Sequence, residues 1–214
     1  MIELILSSSV NINTHGLLLN GKQLVDFNSE LLRDKKLELV YRTIGEAYPK
    51  FFKMDAQSKL GWLAAEYIVK DTEVLHGVAK TDIALILSNK KSSLDTDTQY
   101  QNSLAEQGEE FLPSPSVFVY TLPNIVAGEI CIRHGFKGEN NFLISEKFDA
   151  QLLVNYTQAL FSENLCKSAL VGWIDVYKEE FRVLLAAVEI KQSESTSTSF
   201  NTENLNQLFQ TIAL

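Results

Sequence analysis

Five short apolar runs of β-favouring residues punctuate this chain of 214 residues: IELILSS at 2–8, DIALILSN at 82–89, NNFLIS at 140–145, KSALVGWIDV at 167–176 and FRVLLAAVEI at 181–190. Most are apolar on both faces, as strands covered by two layers must be, and amphipathic helical segments separate them. Residues 55–69 place Leu60, Leu63, Ala64, Tyr67 and Ile68 at helical spacing behind Asp55 as N-cap. A further helix is expected around 30–46, and 90–112 reads as a polar loop with at most a short helix. Residues 124–134 read as a helix with Asn124 as cap, Ile125, Gly128 and Ile132 on one side, and Gly135 as a left-handed stop. Gly128 within it signals close approach of another backbone. Residues 147–162 read as the next helix, carrying Phe148, Leu152, Leu153, Tyr156, Leu160 and Phe161. Strands alternating with helices predict an α/β fold, a mainly parallel mixed five-stranded sheet with helices on its faces.

The body is expected to span residues 1–190. KQSESTSTSFN at 191–201 reads as a polar linker, and 202–214 as an amphipathic tail helix with Leu205, Leu208, Phe209 and Ile212 in one stripe. So short a helix is stable only if the stripe docks.

A net charge of −8 argues against a nucleic-acid partner, which needs clustered Lys and Arg. The basic runs at 33–36 and at Lys90 and Lys91 read as solvated faces. MIELILSSSVN has no basic n-region, and VLLAAVEI at 183–190 is too short to cross a bilayer, so no membrane span and a cytoplasmic chain are expected. Cys131 and Cys166 lie in apolar segments without ligand spacing and read as buried free thiols. No metal or cofactor is expected.

The segment TLPNIVAGEICIRHGFKGENN carries an A-G-x-I-x-I-R-x-G-x-K-G-x-N pattern at Ala127, Gly128, Ile130, Ile132, Arg133, Gly135, Lys137, Gly138 and Asn140. It resembles the β-ketoacyl synthases of the thiolase fold. The order of the other elements is collinear with that family's N-terminal half over roughly residues 1–190, which implies a thiolase-like half. In the family a short strand leads to a nucleophilic cysteine at a helix tip, where the dipole and backbone N–H groups favour thiolate. Gapless alignment puts Lys147 there, between Glu146 and Phe148, with Asp149 beyond. Carboxylates at a helix start stabilise the helix but would repel an oxyanion. The family's two histidines belong to a C-terminal half without counterpart here, and His15, His76 and His134 are scattered.

Lys147 reads either as a desolvated amine nucleophile or as a lysine paired with Glu146, Asp149 or a partner's carboxylate at a filled pocket. Ser7, Ser8 and Ser9 read as a strand end with loop-forming serines, Cys131 with His134 as core packing, Gly135 and Gly138 as turn geometry, and Pro113, Pro115 and Pro123 as helix punctuation. The resemblance implies a non-catalytic, cysteine-less ketosynthase-like accessory subunit. It is similar to chain-length factors and to short members of aryl-polyene or flexirubin-type clusters, and would serve type II fatty-acid or polyketide synthesis. Its partners would be a catalytic ketosynthase, a second copy of itself, or both, with an acyl carrier protein as a further one. The family dimerises through the strand here read as NNFLIS, so Asn141, Phe142, Leu143, Ile144 and Ser145 are the implied dimer edge. The alternatives are an acyltransferase or thioesterase using Cys131 or a serine, and a carrier-protein-binding scaffold.

Overall fold

The computed structural model describes residues 2–105, 114–191 and 198–211. Pro113, Ile212 and most of the stretch read as linker lie outside them. In chain order the elements are β1 (Leu4–Asn13), β2 (Gly16–Leu19), β3 (Lys22–Asp26), α1 (Arg33–Ile44), α2 (Ala56–Asp71), β4 (Ile83–Asn89), α3 (Leu94–Ala105) and α4 (Pro115–Val119). They continue with α5 (Ile125–His134), β5 (Asn140–Ile144), α6 (Ala150–Ser162), β6 (Ser168–Tyr177), β7 (Glu180–Ile190), β8 (Thr198–Ser199) and α7 (Thr202–Gln210).

One sheet runs β3-β2-β1-β7-β6-β4-β5, with β8 also paired to β1. The five expected strands are contiguous in it, from β1 to the β5 edge. β4 pairs parallel with β5 and with β6, whereas β7 runs antiparallel to both β6 and β1. Four of the five therefore point one way, and β7 alone opposes them. The sheet is wider than expected because β1 runs past its serines and turns into the β2–β3 hairpin. That hairpin closes on Asn20 (φ 51°) and Gly21 (φ 75°), the two-residue Asn-Gly turn whose twist suits paired strands. The serines are interior strand residues at a register shift: Ser8 and Ser9 are buried, and Ser8 Oγ donates to Asp71 Oδ2 at 2.7 Å. The shift swaps the faces, so Leu4 and Leu6 share one layer, Val10 and Ile12 the other.

On the first face α1, α2 and α5 cover Val10, Ile12, Leu85, Leu170, Ile174 and Leu185. Asp55 caps α2 as expected, accepting from Ser58 N at 2.9 Å, and Gly135 ends α5 at φ 71°. Asn124 makes no side-chain cap; its backbone is already helical (φ −83°, ψ −1°), continuing the turns that follow α4. The close approach expected at Gly128 occurs at Gly61 instead. A Cβ on Gly61 would meet Val126 Cγ2 at 2.3 Å, whereas one on Gly128 would meet nothing within 4 Å. The buried side of α5 is Val126, Ala127 and Ile130, so Gly128 and Ile132 (69% exposed) point outward.

On the second face α6 and α7 cover Leu4, Leu6, Ile86, Val171, Leu184, Ala186 and Val188 through Leu153, Val154, Leu160, Phe161 and Leu205. The outward side of α6, including Gln151, Asn155, Gln158 and Ser162, is polar and exposed. Thr198 and Ser199, within the stretch read as linker, pair with Leu6 and Ile5 of β1, and Phe200 is buried.

Candidate functional site

Between β5 and α6 the chain makes a short turn over Ser145–Asp149. Ser145 N donates to Asn89 O at 2.9 Å, which ties the turn to the carboxyl end of β4. The helix starts later than its apolar spacing predicts. Asp149 accepts from Leu152 N at 2.9 Å and so is the cap, leaving Lys147 in the turn ahead of the helix. Lys147 and Glu146 are exposed, and neither makes a hydrogen bond or ion pair among the described residues.

Phe148 turns inward. It stacks on Phe209 of α7 (centroids 3.9 Å, planes 10° apart) and meets Trp173 of β6 edge-on at 5.9 Å. Trp173 and Phe209 also meet edge-on, at 6.2 Å. The start of α6 is thus closed by three rings, from the turn, β6 and α7, with an acidic cap on the helix itself. α7 is held there by more than its stripe. Leu205 is fully buried, Asn201 caps the helix at Asn204 N, Asn11 Nδ2 donates to Leu208 O at 2.9 Å, and Arg182 donates to Phe209 O with its guanidinium 3.9 Å over the Phe209 ring. Trp173, Phe209 and Arg182 escape sequence reasoning because only strand pairing brings them together. The available signal was alternation: Trp173 and Asp175 share one face of β6, and Arg182 continues the Leu184, Ala186, Val188 row of β7.

Neither thiol reaches this turn. Cys131 lies on α5 against the first face, and burial raises its pKa. Cys166 follows the far end of α6, about 20 Å from its start at 1.5 Å per residue, and burial with nearby Asp82 pushes its thiol up to about 11. The histidines sit apart: His15 at the β1–β2 turn, His76 on Val69 O, His134 at the end of α5. No three His, Cys, Asp or Glu side chains among the described residues could hold a metal.

The pattern residues of α5 have structural work. Arg133 Nε and Nη2 donate to Glu66 at 2.5 and 3.2 Å, and the guanidinium lies 5.0 Å from the Tyr48 ring and 5.7 Å from Trp62. Gly138 lets the chain pass β4, since a Cβ there would meet Ile83 O at 2.4 Å. The buried Nε2 of His134 makes no hydrogen bond and lies 3.5 Å from Glu66 Oε1. Burial, with the charges of Arg133 and Lys80 and against that of Glu46, lowers its pKa from 6.5 to about 4. Between those values the unfolded chain takes up a proton that the folded chain refuses. Stability from this group is therefore complete above pH 6.5 and falls as the pH drops toward 4. Urea midpoints across that range are expected to decline, with a flatter slope in His134→Gln.

At the sheet edge β5 pairs on one side only, with β4. Among the described residues its other edge is open. Asn141 Nδ2 donates to Tyr156 OH at 2.9 Å, Phe142 packs on the first core and Leu143 on the second, and Ile144 is 52% exposed. No helix among the described residues is long and apolar enough to cross a membrane.

No protein-family model and no curated protein matches the chain. Solved structures do. One is "The ishigamide ketosynthase/chain length factor", 14% identical over 91% of this chain and 64% of that one, at a TM-score of 0.65. A second is the type II polyketide complex "AntDE:AntF", an acyl-carrier protein with its ketosynthase bound to the hexaketide: 13% identity, 90% and 63% coverage, TM-score 0.62. A third is "Ketosynthase (ApeO) in Complex with its Chain Length Factor (ApeC)" from Xenorhabdus doucetiae, at 11% identity, 98% of this chain, 91% of that chain and a TM-score of 0.60. The chain spans just under two thirds of the first two and nearly all of the third. Its fold is that of the ketosynthase and chain-length-factor proteins, as the resemblance implied.

Proposed function

We propose that the chain is a non-catalytic, chain-length-factor-like subunit that partners a catalytic β-ketoacyl synthase in type II fatty-acid or polyketide synthesis of the aryl-polyene kind. The observation that carries this is the turn at Ser145–Asp149. It stands between edge strand and helix, where the resemblance calls for a nucleophile, and it offers an exposed Lys147, a carboxylate cap and a helix start closed by Phe148, Trp173 and Phe209. A thioester carbonyl would meet no thiol there, and the Asp149 charge opposes an oxyanion. The raised thiol pKa values of Cys131 and Cys166 disfavour the acyltransferase reading. In this reading residues 1–190 are the synthase-like half, and 191–201 lead to the tail of 202–214, whose helix α7 (Thr202–Gln210) covers the second face. The chain works in the cytoplasm beside its partner.

The partner surface is the open edge of β5, Asn141 to Ser145, continued by the outward side of α5. An unpaired edge is a template for another strand. Gly128, exposed and without neighbours, leaves room beside Ile132 for a second backbone. Gly128→Leu is expected to keep or raise monomer stability by roughly 0.5–1 kcal/mol, since glycine weakens a helix interior, while weakening assembly at least about tenfold. Unchanged assembly would remove α5 from the interface. For an acidic carrier protein the chain offers exposed Phe52 beside exposed Lys53, whereas neighbouring Lys50 is already paired with Glu129 at 2.6 Å.

Reconstitution tests the function. With a ketosynthase and a carrier protein, this chain is expected to change elongation rate or product length, and alone to form no acyl adduct and no product. Turnover by the chain alone would overturn the reading.

A further inference from the structure

Beyond the carboxyl ends of β1 and β6, on the face that α7 covers, lies a cavity of about 300 Å³. Asn13, His15, Lys91, Asp175, Glu180 and Arg182 line it. Strand register builds it: Asn13 and Asp175 both pair with Arg182, so three polar residues stand in a row across β1, β7 and β6. Crevices outside the carboxyl ends of strands are where open α/β sheets bind ligands.

The charges in the row are unevenly matched. Asp175 is satisfied, accepting at Oδ1 from Lys90 N and Lys91 N at 3.1 and 3.0 Å, with Lys91 Nζ 3.3 Å from Oδ2. Arg182 has no carboxylate within ion-pair distance among the described residues. One of its five N–H donors goes to Phe209 O, and the ring covers one side of its plane. A half-buried guanidinium with free donors, facing a cavity in a chain of net charge −8, lacks its counter-charge. Burial without an anion also lowers its pKa. Its planar fork matches an oxyanion group with two acceptor oxygens.

We propose that this cavity binds a small organic anion through a carboxylate or phosphate group, gripped by Arg182 with Lys91 at its flank. The same guanidinium holds the end of α7, so an occupied cavity also secures the tail. This stands apart from the subunit role: a free-standing protein would bind equally well.

Calorimetric titration of the full chain with inorganic phosphate and with malonate, at constant ionic strength, tests it. Saturable one-to-one binding of at least one probe is expected, and the probe preferred tells a phosphate-bearing ligand from a carboxylate-bearing one. Arg182→Gln is expected to weaken binding about tenfold or more. Because it also releases Phe209 O, Lys91→Gln is the companion variant: it leaves every α7 contact in place and is expected to weaken binding by several-fold. No saturable binding of either probe, or binding unchanged in both variants, would overturn the proposal.

Discussion

Arg133→Leu is expected to lose about 3–5 kcal/mol of folding stability, the range for removing one partner of a buried ion pair. Glu66 is 2% exposed, and its hydrogen bonds to Arg133 at 2.5 and 3.2 Å are the ones that offset its desolvation. The half-exposed Glu46 on the same guanidinium adds little, because water screens it. The stack on Tyr48 and Trp62 goes as well. Adding Glu66→Gln to Arg133→Leu is expected to recover part of the loss, since an uncharged amide replaces a stranded carboxylate. Denaturant midpoints of the two single variants and the double variant check it. A single-variant loss below about 1 kcal/mol would mean that water already reaches Glu66.

The second large effect lies on the opposite face. Leu205→Ala with Phe209→Ala is expected to release α7. Truncating a fully buried leucine costs about 2–5 kcal/mol, and loss of an aromatic stack adds about 0.5–1.5 kcal/mol. A helix of this length does not hold without its docked stripe, so the cost appears as undocking. Trp173 is 4% exposed and touches Phe209 edge-on, so its emission should shift red. The chain has two tryptophans, and Trp62 is fully buried on the other face, so the shift reports Trp173. Unchanged emission would show that α7 does not close the start of α6.

What the residues disclosed before folding was mostly local. The five contiguous strands from β1 to β5, the Asp55 cap and the Gly135 stop each follow from a short pattern and its own backbone. The Asn20-Gly21 hairpin was equally local and went unread, because the serine cluster ahead of it looked like a strand end. A register shift carries the strand through Ser7–Ser9. Gly128 shows the reverse error: glycine in a helix marked close packing, but the crossing with α2 falls at Gly61, which has the same composition signal and lies on the buried side. The rings around the start of α6 were the least legible. Phe148, Trp173 and Phe209 are separated in sequence, and nothing short of sheet register and tail docking puts them in contact. Lys147 reads as part of the helix in the sequence but lies ahead of it, because apolar spacing does not reveal that Asp149, with its own side chain, ends the turn.

Assembly is the claim on which the functional account stands, and native mass spectrometry of the chain co-expressed with a ketosynthase and its carrier protein measures it directly. The account predicts a one-to-one complex with the ketosynthase that Gly128→Leu disrupts while leaving the free chain folded. A chain that stays monomeric beside the ketosynthase, with both proteins folded, would contradict it.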